Sequence, residues 1–204
     1  QTNNTVAIGT SAGKTSQGDN AIAVGRQAGE IVQGAKSIAV GREAGQTSQG
    51  TFAVAVGSSS GMTSQGAQAV AVGWLAGHSE QGANATAVGR EAGRTSQGAQ
   101  AVAVGYLAGN SEQGVNTTAV GRGAGATSQG ASATAVGTYA GYSEQGGQAV
   151  AIGIYAGSNK QGANATAVGY LAGKTSQGAS AVAIGVKAGQ SEQGSQSVAV
   201  GTSS

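Results

Sequence analysis

The chain has 204 residues and a formal net charge of +2, with 39 glycines, 9% charged residues, 3% aromatic residues, and neither proline nor cysteine. So few large side chains exclude an ordinary globular core, and the lack of cysteine excludes disulfides. No basic run supports nucleic-acid binding, and no apolar run approaches the roughly 20 residues that span a bilayer.

The chain opens on Gln1-Thr2-Asn3-Asn4. This is not a signal peptide, and there is no initiator Met, so a piece excised from a longer fibre protein is expected. The first element follows at once as Thr5-Val6-Ala7-Ile8-Gly9, an alternating, β-branched run that reads as a strand closed by glycine. Next come Ala12-Gly13, a short arm Thr15-Ser16-Gln17, and Gly18. The same order then repeats. The strand-closing glycine recurs at Gly25, Gly41, Gly57 and on to Gly201, always 16 residues apart. Gln-Gly recurs in phase from Gln17-Gly18 to Gln193-Gly194, and Ala-Gly departs from its pattern only at Ser60-Gly61. Phase held without insertion means that every unit occupies an equivalent place in a stack. Neither arm reaches the length of a stable helix. The expected fold is therefore all-β: one parallel β-solenoid domain over residues 1–204, with about twelve coils of 16 residues. Strands stacked at about 4.8 Å would make a rod of about 60 Å.

Comparing copies along the chain assigns directions. In Gln68-Ala69-Val70-Ala71-Val72, alternate side chains face opposite sides. Val72 and its equivalents are Val or Ile, and Val70 and its equivalents are Val, Ile or Thr; this side is expected to face the interior of the coil. The other side is alanine in nearly every copy: Ala39, Ala55, Ala69, Ala71, Ala101, Ala103, Ala149 and Ala151. A face held at alanine suggests a second backbone packed close against it, and another copy of the chain is the expected source. Alternatively, alanine fills a flat interior. In the other arm, the residue after Ala-Gly varies from Lys14 to Gln190, and the position two later varies from Ser16 to Glu192. Both read as solvent columns. The unvaried Gln column reads as an amide ladder between coils, and the glycines read as turn formers.

The inventory for catalysis is one histidine, His78, and one aspartate, Asp19, with dispersed glutamates. No enzyme, cofactor or metal site is expected. The turn after the A-V-G glycine offers more. It carries Trp74, Tyr106, Tyr139, Tyr155 and Tyr170 together with Arg26, Arg42, Arg90 and Arg122. Exposed aromatics with arginine are candidates for contact with a glycan or protein on a host surface. The competing role is a stacking ladder that shields the turn edge.

Thr5-Val6-Ala7-Ile8-Gly9, Ser37-Ile38-Ala39-Val40-Gly41 and Ser197-Val198-Ala199-Val200-Gly201 resemble the S-V-A-I-G element of trimeric autotransporter adhesin heads. The related A-I-G-x-x-A-G pattern is also similar to repeats of phage and viral fibre proteins. The resemblance covers essentially the whole chain. It implies a β-roll of three chains around a common axis, at a virion or cell surface and outside the cell, acting in attachment. It implies no membrane insertion of this segment. The adhesin heads repeat at a shorter period than the 16 residues here, so handedness and trimer geometry transfer less directly. A different class, an ice-binding solenoid, would use the column Thr15, Thr47, Thr63, Thr95, Thr127 and Thr175.

Overall fold

The structure is a computed structural model and describes residues 4–203; Gln1, Thr2 and Asn3 of the opening segment lie outside the described residues. The chain is an all-β parallel β-solenoid with coils of 16 residues, and no helix occurs among the described residues. It divides into two compact units, Gln1–Ala101 and Val102–Ser204.

In the first unit, the strands Val6–Ile8, Ile22–Val24, Ile38–Val40, Val54–Val56, Val70–Val72 and Thr86–Val88 form one parallel sheet. Thr15–Gln17, Ile31–Gln33, Thr47–Gln49, Thr63–Gln65, Ser79–Gln81 and Thr95–Gln97 form a second. The second unit repeats the plan. One sheet runs from Val102–Val104 to Val198–Val200, and another from Ser111–Gln113 to Thr175–Gln177. Register is in phase with the repeat throughout: Ala71 pairs with Ala87, and Gln81 with Gln97. Turn backbone also pairs from coil to coil, as where Gly73 N–H donates to the Val56 carbonyl at 2.8 Å. Backbone hydrogen bonding therefore takes the place of a large apolar core.

The alanine columns face inward. Ala39, Ala55, Ala69, Ala71, Ala101, Ala103, Ala149 and Ala151 are wholly buried within their own chain. This corrects the expectation that they form an interface between copies, and the matching expectation that Val70 and Val72 face the interior. A backbone does lie close against this face, but it is the opposite arm of the same coil. A methyl group added at Gly77 would sit 3.1 Å from Ala71 Cβ. Each coil thus encloses four side chains, represented by Ala69, Ala71, Ala76 and Gln81; only the Ala71 column is alanine in every coil, while Ser37 and Thr117 stand buried in the Ala69 column and Ser60 in the Ala76 column. The β-branched residues point out.

The second arm is not a regular strand. Its central residue takes a left-handed conformation in every coil, as at Ser64, Glu80 and Ser96 (φ 56°, 56° and 52°), and only the flanking residues pair. In an unbroken strand Ser79 and Gln81 would share a face. The left-handed residue between them turns Gln81 inward and leaves Ser79 half-exposed. Two more positions per coil are left-handed, such as Gln68 and Leu75, and they are non-glycine except at Gly123.

The glycine columns serve separate ends. Gly73 and Gly77 take positive φ (134° and 50°), as expected of turn formers. Gly66 does not. A Cβ there would meet the backbone of Ala83 in the next coil at 2.6 Å, so this column is glycine because successive coils approach too closely for any side chain.

Candidate binding surface

Three surfaces follow from this coil. The first is the outer face of the A-V-A-V sheet. Its columns are Val70, Thr86 and their equivalents, and Val72, Val88 and theirs. Every one of these positions is Val, Ile or Thr, with no charge in either column. Most are half-buried; Val88, Ile152 and Ile184 are exposed, as are Val6, Ile8, Val198 and Val200 in the end coils. The sequence signal was present, since no charge ever enters these columns. It pointed inward only because β-branched residues ordinarily outrank alanine as core formers.

The second surface is the turn edge after the A-V-G glycine, where the predicted aromatics and arginines lie. In the first unit its charges neutralise one another. Glu43 pairs with Arg26 at 3.0 Å and with Arg42 at 3.7 Å, Glu91 with Arg90 at 3.3 Å and Arg94 at 3.4 Å, and Glu30 with Lys14 at 3.8 Å. Hydrogen bonds donated by the Gln46 and Gln27 amides hold the Glu30 carboxyl below its ordinary pKa. The Arg90 guanidinium also lies 4.8 Å from the centre of the Trp74 ring. Three predicted arginines of this unit, Arg26, Arg42 and Arg90, are therefore engaged within the chain.

In the second unit the same edge is aromatic. The Arg122 guanidinium lies 6.0 Å from the Tyr106 ring and 5.4 Å from that of Tyr139. Tyr139 stacks on Tyr155 at 5.2 Å with 18° between ring planes, and Lys174 Nζ lies 5.8 Å from Tyr155. The structure thus brings Tyr106, Arg122, Tyr139 and Tyr155 together as a ladder across successive coils, while Tyr170 stands exposed further along. By sequence Tyr142 belongs only to a solvent column, yet it packs edge-on against Tyr139 at 5.4 Å and 75°. Tyr139, Tyr142, Tyr155 and Ser158 line a cleft of about 250 Å³. The sign of that role was Gly123, which stands where other coils carry Leu75, Leu107 or Leu171. A Cβ there would strike the Tyr139 ring at 2.7 Å.

The third surface is the outer side of the T-S-Q arm. Thr15, Thr95 and Thr127 are exposed, whereas Thr47, Thr63 and Thr175 are half-buried. Exposed Glu80, Glu112 and Glu144 stand beside this column, with Ser96 and Ser128 hydroxyls donating to Glu80 and Glu112. His78 is half-buried on the turn edge with Nδ1 2.8 Å from Ser79 Oγ. Desolvation, and then the charge of Arg94, hold its pKa below the ordinary value.

Comparison of the chain with protein-family models, with curated proteins and with solved structures finds no match.

Proposed function

We propose that this chain is a non-enzymatic structural and adhesive segment of an extracellular fibre, on a virion or a cell surface, in which three copies associate through the outer face of the A-V-A-V sheet. The observation that carries this reading is the uncharged Val/Ile/Thr face. A solvated β-surface drifts to Lys, Glu or Ser over many copies, and this one holds β-branched residues from Val6 to Val200. Contiguous apolar faces of this kind mark interaction sites. Further support comes from the strict repeat, which gives every coil the same contact and so matches one copy to another along its length. The sparse catalytic inventory, with one histidine and one aspartate, supports the non-enzymatic part. The turn edges remain free to contact a glycan or protein on a host surface. The threonine column is less suited to ordering ice, because exposed carboxylates flank it and the arm is bent at its centre.

The chain has no cysteine, so single thiols can report on each face. Val136→Cys, on the proposed contact face, should react with a maleimide at least tenfold more slowly than Ser176→Cys on the other arm (about 1.4 kcal/mol of protection). Equal rates in the native protein would count against the contact face.

A further inference from the structure

The two units differ in the charge of one edge. In the first, every carboxylate of the A-V-G turn edge, namely Glu30, Glu43 and Glu91, is ion-paired with a neighbouring Lys or Arg. In the second, the same edge carries Arg122, Lys174 and Lys187 and no carboxylate at all. Among the described residues these three cations form no ion pair. Arg122 and Lys174 lie instead against the tyrosine ladder. The three glutamates of this unit, Glu112, Glu144 and Glu192, all belong to the other arm.

The departures from the repeat converge on the same place. Gly123 opens room for the Tyr139 ring. Ala126 and Ser158, one coil to either side of Tyr142, are small in a column that elsewhere carries Lys, Arg, Glu, Gln, Asn, His or Met. Tyr139, Tyr142, Tyr155 and Ser158 leave the cleft of about 250 Å³, below the roughly 300–1,000 Å³ of a pocket that encloses a whole drug-sized ligand. Such a cleft suits one ring of a longer polymer. Its walls offer phenol rings and hydroxyls, which suit the apolar face and the hydroxyl groups of a sugar. The unpaired cations extend along the edge over several coils and suit repeated negative charge.

We propose that the edge of the second unit, centred on Tyr139, Tyr142 and Tyr155 and flanked by Arg122 and Lys174, binds an acidic polysaccharide, with one sugar ring in the cleft and carboxylates on the cations. The proposal deepens the surface-attachment reading and rests on it for its setting.

Alginate, a polyuronate, serves as the acidic probe and dextran as the neutral one, with binding followed by calorimetry on the 204-residue chain. Alginate should bind and dextran should not. Tyr142→Ala and the pair Arg122→Gln with Lys174→Gln should each weaken alginate binding about tenfold or more, while Met62→Ser in the first unit leaves it unchanged. Circular dichroism of each variant confirms that the coil remains folded. No alginate binding by the wild-type chain, or equal binding of dextran, would overturn the proposal. A parallel assay of wild-type attachment to cell surfaces separates the two ideas. Attachment and alginate binding that both survive the Tyr142→Ala change overturn this site and leave the attachment reading standing. Alginate binding without attachment to any surface supports the site and removes the reading.

Discussion

A glutamine buried among alanines brings two donor hydrogens and an acceptor that must all find partners. Gln81 is 2% exposed and solves this with two kinds of bond. Its Nε2 donates to the Val70 carbonyl across the coil at 2.9 Å and to Gln97 Oε1 in the next coil at 3.0 Å, while its Oε1 accepts from Gln65 Nε2 at 3.1 Å. The ladder ties arm to arm in each coil and coil to coil along most of its length, broken where Gln33, Gln49 and Gln113 Oε1 are buried without a partner. Gln81→Leu should therefore leave the Gln65 donor and the Gln97 and Val70 acceptors short of a partner, at about 1–3 kcal/mol each. The thermal midpoint should fall by several degrees. The ladder itself was legible in the sequence because the column never varies, but its inward direction was not, since glutamine rarely lines a core. Val32 is the opposite case, a β-branched residue held at φ 52° and 49% exposed where other coils carry Ser, Glu or Lys. Nothing in its surroundings explains it. Val32→Asn should raise stability by about 1 kcal/mol, because Asn tolerates the left-handed region, and a denaturant titration would read the gain.

At the scale of the strand, the deciding quantity is the thickness of the coil. The period of two in A-V-A-V identifies a strand and its two faces but not which face is inside. Ala71, wholly buried, lies against the opposite arm at Gly77, and Val72 is half-buried on the outside. Ala71→Leu should destabilise the fold by about 1–3 kcal/mol or more through overpacking. Val72→Ala should cost the single coil far less. Chemical denaturation of the two variants side by side would show the contrast, and the reverse order would mean that the faces are wrongly assigned. The T-S-Q arm was also readable as extended. Its central kink was not, because residues such as Glu80 and Ser96 carry no local sign of a left-handed backbone in the way glycine does.

Over the whole chain, a strict 16-residue period makes the fold legible, since each coil repeats the same solution. The departures from the period carry what is particular to this protein. Ion pairs concentrate on the edge of the first unit, and tyrosines with unpaired cations on the edge of the second. Spacing alone placed Tyr139 and Tyr155 one coil apart; it could not show that Tyr142 closes a cleft with them. The interior of alanine and glutamine leaves the β-branched residues outside, and their partner is proposed to be the same face of other copies. The most direct test is the solution mass of the chain by light scattering at micromolar concentration. Association through the Val/Ile/Thr face predicts three times the 19.2 kDa of one chain, falling toward a single chain on Val72→Glu with Val136→Glu. A wild-type mass of one chain at every concentration tested would contradict it.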